Sequence, residues 1–488
     1  MTVPRFKFEK NLEKRTVPKW EVFNLNNKKL EEFENDIKEK KVAIIGLGVS
    51  NTPLIDFMYE KGAVVTVFDE REEDKIPIEI LNKVKSYNME CICGKDSLTK
   101  LNNFDYIFRS PSCMPTRKEL QKEAERGAIV TTEIEMLMKM CPCKIVGITG
   151  SDGKTTTTSL IAAILKKAGY KTYLGGNIGT PLFTKLSEIA ENDIIVLELS
   201  SFQLMNMKKS PNISVITNIT PNHLNIHKDY EEYIDAKKNI LKYQNKDDIV
   251  VLNYDNEITR NSAKEAKSNV VFFSRKEKLK NGFIIEGKKI REMINGTSKD
   301  IIDVKDIPLR GEHNYENVAT ALAATKTLVD ANIAIDAIKE FTPVEHRLEI
   351  VREINGAKWY NDSVSSSPTR TIAGLNSFDE DIVLIAGGYD KNLDYTPIAK
   401  PVLEHVKTLI LLGATSEKIY KAVEKEAEIQ NIKIDIFKCS TLQEAVDKAK
   451  EKALPGQIVL FSPASASFDM FKDFADRGRK FKELVNKL

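Results

Sequence analysis

One pattern occurs three times along the chain: a short apolar, largely β-branched run, a glycine-containing turn, and a segment of helical composition. It starts at KVAIIGLGVSN (41–51), KIVGITGSDGKTTTT (144–158) and DIVLIAGGYDK (381–391), and further apolar strands follow each time. Continuous apolar strands that alternate with helices are typical of parallel sheets covered on both faces. The sequence therefore predicts an α/β protein with three such units, whose ligand sites lie beyond the carboxyl ends of the strands.

The length of 488 residues is too great for a single hydrophobic core and fits about three domains. Two proline-containing segments, MCPCK and FTPVEHRLE, separate the repeated units. We predict domains over 41–142, 143–342 and 343–488, preceded by a charged, partly helical and solvated extension over 1–40. The segment GFIIEGKKIREMI (282–294) predicts a β insertion late in the middle domain.

The charge balance argues against several classes of protein. Lys and Arg (73) nearly cancel Asp and Glu (71), so the chain lacks the positive field typical of proteins that bind nucleic acid or anionic membranes. No apolar run approaches the ~20 residues of a membrane helix, and the first residues do not resemble a secretory signal. We expect a cytoplasmic protein that is not inserted in a membrane. The six cysteines include two C-x-C pairs, closer than usual zinc spacing, and are predicted to be reduced structural thiols.

The first glycine turn resembles a dinucleotide-binding fingerprint in part. Gly46 and Gly48 follow a strand, and Asp69 ends the next one, but Asn51 occupies the position of the third glycine. What remains is a turn whose N–H groups face an anion at a helix N-terminus, with Asp69 as a hydrogen-bond acceptor. A simple tight turn between strand and helix is the alternative.

The second glycine turn, GSDGKTT, follows an apolar strand and leads into an apolar helix. In the phosphate-binding pattern G-x-x-x-x-G-K-[ST] the first glycine would stand at Ile148, which we interpret as the last residue of the strand. Gly150 and Gly153 allow the backbone N–H groups to face phosphate oxygens. Lys154 then places a cation on the phosphates, and Thr155 offers a hydroxyl to Mg²⁺. The loop therefore predicts nucleotide binding.

Polar residues also stand where two later strands of the middle unit end. Glu198 closes the strand IIVLE, with Ser200, Ser201 and Gln203 just beyond it, and His223 follows the strand SVITNI. We expect Glu198 and His223 to lie near the glycine loop, where a carboxylate would suit Mg²⁺. A surface acid and a merely hydrogen-bonded histidine are the alternatives. Lys237 lies on an amphipathic helix, and composition alone does not single it out.

Taken together, the motifs resemble those of the Mur ligases. They appear in the order of that family from about residue 41 onward, as GITGSDGKTTTT, GGNIGTP, LELSSFQL, NITPNHLNIH with AKKNI, GEHNYENVATALAA, VEHRLE, YNDS, GGYDK and SPASASFDMFKDFADRGRKF. The opening IIGLGVSN and the late segment SPASASFDMF favour the branch of the family that adds D-glutamate.

The resemblance implies a three-domain fold: a Rossmann-like N-terminal domain, a central P-loop ATPase domain and a Rossmann-like C-terminal domain. It also implies an activity, the ATP-dependent joining of D-glutamate to UDP-N-acetylmuramoyl-L-alanine in cytoplasmic peptidoglycan synthesis, carried out by a monomer. A carboxylate condenses with an amine only after activation, here as an acyl phosphate. The protein then has mainly to position the reactants and neutralise charge.

The resemblance also assigns roles to individual residues. ATP would be held by Gly150, Ser151, Asp152, Gly153, Lys154, Thr155, Thr156, Asn253, Asn314, Arg347 and Asp362. Two Mg²⁺ ions are implied, the first on Thr155 and Glu198, the second on Glu198, His223 and a carbamylated Lys237. The UDP-linked substrate would contact Gly48, Val49, Ser50, Asp69, Glu70, Arg71, Ser110, Asn177, Ser200 and Gln203. D-Glutamate would contact Lys391, Ser467 and Phe474, with Lys391 paired to a carboxylate.

Several positions depart from the family pattern. Asp152 replaces the usual asparagine and brings a negative charge to the phosphates, Asn222 and Asn225 replace aspartates, and Val364 stands where a lysine is common. The segment SPSC also lacks a glycine after Ser-Pro. Val364 leaves open a related ligase with a different amine substrate, and a nucleotide-binding regulatory protein without catalysis is an alternative from another class.

Overall fold

The computed structural model describes residues 27–221, 226–342 and 344–488. The described chain divides into two compact units. The first comprises the residues up to Ile145 together with Leu165–Ile195, and the second comprises Val146–Ile164 and the described part of Val196–Leu488.

The first unit contains a five-stranded sheet with the order β3-β2-β1-β4-β5. All four strand pairs are parallel. The strands are β1 Lys41–Ile45, β2 Val64–Asp69, β3 Glu90–Cys93, β4 Tyr106–Arg109 and β5 Ile129–Thr131. The helices are α1 Lys28–Asp36, α2 Thr52–Glu60, α3 Ile78–Ser86, α4 Lys118–Glu125 and α5 Glu133–Met140. The order reverses direction at β1, so the first glycine turn leaves the sheet beside the point where the strand order switches.

The described end of the predicted N-terminal extension is more than a solvated helix. In α1, Leu30, Phe33 and the following Ile37 are buried, while the charged residues around them face outward. The Phe33 ring makes edge contacts with Tyr106 and Phe183, at centroid distances of 5.7 and 5.8 Å. The helix is thus amphipathic and belongs to the core of the first unit, which the run of charges in its sequence conceals.

The second sheet has nine strands in the order β14-β13-β12-β11-β10-β9-β6-β8-β7. They are β6 Lys144–Thr149, β7 Thr172–Gly176, β8 Ile194–Glu198, β9 Ile213–Ile216, β10 Ile249–Asn253, β11 Asn269–Ser274, β12 Gly282–Glu286, β13 Lys289–Ile294 and β14 Thr297–Asp303. The accompanying helices are α6 Lys154–Lys167, α7 Ser201–Leu204, α8 Tyr230–Lys242, α9 Glu257–Ser262, α10 Glu312–Thr325 and α11 Ala331–Lys339. The predicted β insertion is present, because β12 and β13 pair as an antiparallel hairpin that β14 extends.

The third sheet has six strands in the order β15-β16-β20-β17-β18-β19. They are β15 Glu349–Ile354, β16 Ala357–Asn361, β17 Ile382–Ala386, β18 Val406–Leu412, β19 Asp435–Cys439 and β20 Ile458–Phe461. The helices are α12 Pro368–Leu375, α13 Ala399–His405, α14 Ser416–Gln430, α15 Leu442–Lys452 and α16 Phe474–Asn486. Alternate residues of β17 enter two separate hydrophobic clusters, with Leu384 in one and Val383 and Ile385 in the other. This sheet is therefore covered on both faces, as a continuous apolar strand predicts.

The structure bears out the predicted α/β class with its largely parallel sheets. It also agrees with free cysteines: the sulfur atoms of Cys91 and Cys93, and of Cys141 and Cys143, lie 3.4 Å apart and are not bonded. Within the described ranges, no helix combines the length and the apolar character needed to cross a membrane.

We predict that Phe33→Ala lowers the stability of the first unit by about 3 kcal/mol, because it removes a buried ring from two aromatic contacts. Hydrogen exchange of the β4 amides measures this locally in a protein with several domains. Ile78→Ala is the matched control, since the Ile78 side chain is largely exposed, and it should change the exchange free energy by less than about 0.5 kcal/mol. A loss below about 1 kcal/mol for Phe33→Ala would mean that α1 lies outside the core.

Candidate active site

The glycine loop joins β6 to α6 and requires glycine at two positions. Gly150 has φ +149°, and a Cβ atom there would lie 1.9 Å from Thr217 Oγ1. Gly153 has φ +79°, and a Cβ atom there would lie 2.5 Å from Asn317 Oδ1. The backbone is left-handed at both residues and packed against its neighbours, so no larger residue fits without displacing the loop.

The loop is fixed by the ends of the strands on either side of β6. Thr149 Oγ1 donates to Leu199 O just beyond β8 (2.7 Å), and Ser151 N donates to Asn218 O just beyond β9 (2.9 Å). Thr217 Oγ1 donates to Asp152 O (2.6 Å), closing the loop from the same side. The carboxyl ends of three adjacent strands therefore meet at the loop, as the sequence predicts for a parallel sheet.

Two lysines meet inside this loop. Lys154 Nζ donates to Gly150 O at 2.9 Å, and Lys237 Nζ donates to the same oxygen at 2.8 Å. The two nitrogens are therefore at most about 5.7 Å apart, a separation at which two like charges repel by about 3 kcal/mol at an effective dielectric constant of 20. Burial, and next the charge of Lys154, hold the pKa of Lys237 well below its ordinary value. Lys237, only 2% exposed, is thus the lysine that loses its proton more readily.

The surroundings of Lys237 hold the side chain in place. Its ammonium nitrogen lies 4.8 Å from the centre of the Tyr233 ring, one turn earlier on α8. The Tyr233 hydroxyl is 2.9 Å from Ser151 Oγ, and Lys237 also donates to Thr149 Oγ1 at 3.3 Å. Lys237 therefore points into the phosphate loop from a helix outside it, which neither composition nor periodicity of α8 reveals.

Glu198 is the buried last residue of β8, with 2% of its surface exposed. Its charge and that of Asp152 oppose the burial that lowers the pKa of Lys154. A carboxylate at this position is at the loop, as predicted, and it is the kind of oxygen ligand that Mg²⁺ prefers. His223, the other predicted strand-end ligand, lies outside the described residues, as do Asn222 and Asn225.

The residues after Glu198 are occupied by local contacts. Ser200 and Gln203 form a capping box at the start of α7, with Gln203 Oε1 accepting from Ser200 N at 2.9 Å. Ser201 Oγ is 2.9 Å from His227 Nε2, and His227 Nδ1 is 3.2 Å from Glu232 Oε2. His227 is buried and stacks on Phe202. His227, which no sequence pattern singled out, joins the segment just before α8 to α7.

A cavity of about 220 Å³ opens beside α6, the helix that follows the glycine loop and is called the loop helix below. It is lined by Thr156, Pro308, Leu309, Arg310, Asn314, Val344, Arg347, Leu348, Ile350 and Tyr360. The Thr156 hydroxyl and Arg347 Nε are buried and have no hydrogen-bond partner within the described chain. Unsatisfied polar groups of this kind are costly unless a ligand engages them, so the cavity suits a molecule with an apolar ring and oxygen-rich groups.

Arg347 sits in a strained segment. His346 and Leu348, the residues on either side of it, have φ angles of +64° and +43°. Asp362 Oδ1 accepts from Leu348 N at 3.3 Å, and the Asn361 side-chain amide lies 2.8 Å from His346 Nδ1. Left-handed backbone at non-glycine residues is maintained only where the surroundings enforce it, and it is concentrated at functional sites. Asp362 therefore helps to present Arg347 to the cavity.

The other residues predicted to bind ATP differ in their surroundings. Asn314 lines the cavity, and Asn317, one turn later on α10, donates to Asn314 Oδ1 (2.9 Å) and accepts from Thr157 Oγ1 (3.2 Å). This bridge to the loop helix was not predicted, although the spacing of the two asparagines on one helix face indicates it. Asn253 is buried and makes internal bonds, donating to Thr217 O and accepting from Asp255 N. It braces the strand ends and is not among the cavity residues.

The first glycine turn lies in the first unit and is built around Asp69. Its carboxylate accepts from Leu47 N (2.8 Å) and from the Arg71 guanidinium (2.7 and 2.8 Å). Burial would raise the pKa of Asp69, but the Arg71 side chain and two backbone N–H groups outweigh it and lower this pKa. Asn51 Nδ2 donates to Ile45 O (2.8 Å), so the residue in place of the third glycine ties the helix start to β1.

The remaining predicted substrate residues lie on the same turns or further along. Gly48, Val49 and Ser50 form the surface of the first glycine turn, and Val49 is 78% exposed. Glu70 accepts a hydrogen bond from Arg117, and the Ser110 hydroxyl is 3.0 Å from that of Ser112. Asn177 directly follows β7.

The predicted amino-acid residues follow the third sheet. The exposed Lys391 lies with its ammonium nitrogen 5.7 Å from the Phe468 ring centre, next to the buried Ser467. Phe474 begins α16, is 44% exposed and makes an edge contact with His346. Lys391 and Ser467 are brought close together by the bridge between Tyr389 and Ala466, whereas Phe474 lies nearer the Arg347 segment.

The phosphate loop, the buried Glu198 and the adjacent cavity with its unsatisfied polar atoms fit a magnesium nucleotide. Three family models match the chain: Mur ligase MurD-like, N-terminal domain, over residues 40–132; Mur ligase middle domain, over 148–325; and Mur ligase, glutamate ligase domain, over 346–465. The UDP-N-acetylmuramoylalanine--D-glutamate ligase of Acetivibrio thermocellus is 48% identical over 95% of this chain and 99% of its own length. The chain belongs to the Mur ligase family. The protein of the same name from Clostridium novyi is also 48% identical, over 94% of this chain and 100% of its own.

Solved structures of Mur ligases share the fold. The UDP-N-acetylmuramate-alanine ligase of Thermotoga maritima has a TM-score of 0.58 at 19% identity, covering 92% of this chain and 99% of its own. MurF from Acinetobacter baumannii has a TM-score of 0.57 at 14% identity, covering 93% and 97%. The chain therefore has the three-domain Mur ligase architecture, and Mur ligases are ATP-dependent.

We predict that Asp152→Asn lowers the KM for ATP about threefold, because it removes a negative charge from a loop that surrounds phosphates. Asp152 is exposed, so solvent screens much of the effect. Steady-state kinetics at low ionic strength measures the change. Asp235→Asn is the matched control, an exposed aspartate on the Lys237 helix, and should leave the KM unchanged. An unchanged or higher KM for Asp152→Asn would assign Asp152 a favourable role in nucleotide binding.

Proposed function

We propose that this Mur ligase joins D-glutamate to UDP-N-acetylmuramoyl-L-alanine at the expense of ATP, in the cytoplasm. The main support is 48% sequence identity, over nearly the full length, to two ligases whose names state that reaction. The domain boundaries that we infer, at 142/143 and 342/343, fall in the gaps between the three matched segments. We expect the protein to act as a monomer.

The reaction begins when the substrate carboxylate attacks the γ-phosphorus of ATP, which forms an acyl phosphate and releases ADP. The loop from Gly150 to Thr156 surrounds the phosphates with N–H groups, and Lys154 adds a positive charge at the strand edge. Arg347 faces the same region from the cavity wall. These groups stabilise the negative charge that spreads over the transferred phosphoryl oxygens.

The amine of D-glutamate then attacks the acyl carbon, and the tetrahedral intermediate releases phosphate while the nitrogen loses a proton. Lys391, with Ser467 beside it, supplies a cation for a carboxylate of D-glutamate. Phe474 begins α16, and its backbone is held by the buried Ser363, whose Oγ donates to Phe474 O at 2.8 Å. Lys391, Ser467 and Phe474 hold the amino acid so that its nitrogen approaches the carbonyl carbon, which is the main contribution that positioning makes to such a step.

Magnesium would neutralise phosphate oxygens and align them when bound. Thr155 and Glu198 are the residues for a first ion, and Glu198, His223 and a carbamylated Lys237 for a second. A lysine cation repels metal ions, but the neutral amine reacts with CO₂ to give a carbamate and a proton. The carbamate is an oxygen ligand with a negative charge. The burial of Lys237 and its closeness to Lys154 favour the neutral amine that this reaction requires.

The choice of amine substrate tests the proposed function directly. With UDP-N-acetylmuramoyl-L-alanine and ATP, we expect phosphate release with D-glutamate and release at least about a hundredfold lower with L-alanine or diaminopimelate. Lys154→Ala should abolish turnover because the phosphates lose their cation. A preference for another amine would make the protein a different ligase, and the absence of substrate-dependent ADP formation would make it a nucleotide-binding protein without this activity.

Carbamylation predicts that activity depends on dissolved CO₂. Enzyme held in CO₂-free buffer should lose most of its activity and regain it when bicarbonate is added, and ¹³C-labelled bicarbonate should give a carbamate resonance. Lys237→Ala should lack both the resonance and the rescue. Lys238→Ala is the control on the next residue, since Lys238 pairs with Glu265 at the surface. Full activity in Lys237→Ala would exclude the carbamate as a required ligand.

A further inference from the structure

Arg370 lies beside the phosphate loop and has few contacts of its own. Its Nε atom is 3.9 Å from Asp152 Oδ1, at the outer limit of an ion pair, and its Nη1 donates to Val364 O at 3.5 Å. Its side chain is 36% exposed and that of Asp152 is 55% exposed. Ion pairs with this exposure and separation contribute little to stability, so structural need does not explain the position of Arg370.

A second arginine of the same region shows what a structural guanidinium looks like here. Arg477 is buried, and its nitrogens donate to Ser363 Oγ, Ser363 O, Ser465 O and Ala466 O at 2.7–3.0 Å. A guanidinium has five N–H donors. Nearly all N–H donors of Arg477 have acceptors in the protein. Arg370, by contrast, makes one long hydrogen bond within the described residues. Arg370 therefore retains a fork of donors for a ligand.

The backbone that carries Arg370 is rigid. Arg370 is the third residue of α12, and Thr371, which follows it, is buried and bonded to Ser462 through both side-chain and backbone oxygens. Only the side chain is thus free to move between acceptors within a few ångströms. Acceptors that a fork of donors fits well are carboxylates and phosphates.

The charge of Arg370 acts on the nucleotide site. After burial, it is the next cause that lowers the pKa of Arg347, and it also lowers the pKa of Lys154. Its neighbour Asp152 lies within the loop, between Ser151 and Gly153. Arg370 therefore lies beside the loop that would enclose the phosphates of a bound nucleotide.

We propose that Arg370 binds the terminal phosphoryl group of ATP, and that its contact with Asp152 is the one it makes when that group is absent. On binding, the guanidinium exchanges the Asp152 carboxylate for γ-phosphate oxygens, and Asp152 turns toward solvent. Arg370 then distinguishes ATP from ADP and neutralises charge on the group that is transferred. This role needs only ATP, whichever amine the enzyme accepts.

Binding of two magnesium nucleotides to the full-length protein tests the proposal without turnover. The β,γ-imido analogue of ATP contains a γ-phosphate and ADP does not. We expect Arg370→Ala to weaken the imido analogue about tenfold or more and ADP by less than about twofold. Arg370→Lys retains the helix and the charge but not the fork, and should weaken the imido analogue about threefold.

Arg352→Ala is the matched control, a surface arginine in the same unit whose guanidinium donates to the end of α16, and it should change neither affinity. Equal losses for both nucleotides, or no loss, in a folded Arg370→Ala variant would overturn the proposal. So would a raised KM for the amino acid with unchanged nucleotide binding, since Arg370 would then serve a substrate carboxylate. A failure of the D-glutamate assay would not affect this measurement, so the two proposals fail separately.

Discussion

Two lysine side chains donate to the same carbonyl oxygen, and the rest of the site is arranged around this contact. The Gly150 carbonyl is directed at both because the glycine adopts a backbone that other residues avoid, and Thr217 leaves no room for a side chain there. The three strand ends around the loop keep the oxygen in place. Since one lysine comes from the loop helix and the other from α8, their repulsion must be balanced by the fold, and it is relieved when one of them is neutral.

A second constraint lies around Arg347, which lines the cavity beside the loop. The backbone on both sides of Arg347 is left-handed, and Asp362, Asn361 and the close approach of Gly478 to His346 maintain it. The strained backbone thus lowers stability but fixes the direction of the Arg347 guanidinium. A ligand that bonds to Arg347 offsets the cost of this strain, because any ligand of the native state stabilises that state by mass action.

Most of the fold could be predicted from sequence because apolar strands, glycine turns and helices alternate with clear boundaries. The strand end at Glu198 also followed from the pattern, since a polar residue that closes a buried strand marks the sheet edge. The strand before the glycine loop was predicted to end at Ile148, but it runs one residue further, to Thr149. Contacts between helices that are distant in sequence could not be predicted. Asn317 and Arg370 reach the loop only through tertiary packing, His227 meets Ser201 in the same way, and a lysine on α8 looks solvated until the helix is placed. The buried face of α1 was missed because its charges dominate its composition.

Three cationic side chains meet at the glycine loop, and the protein balances their charge only in part. Lys154, Arg347 and Arg370 approach the loop from three elements, and the contact between Arg370 and Asp152 is the one ion pair within 4 Å that these three cations make in the described chain. Bringing three cations together with one ion pair among them costs stability, so their number is better understood from a nucleotide-bound protein than from the protein alone. A triphosphate has enough negative charge to satisfy all three. The site is therefore complementary to a polyanion such as a triphosphate. The Asp152 carboxylate offsets part of the positive charge of the three cations.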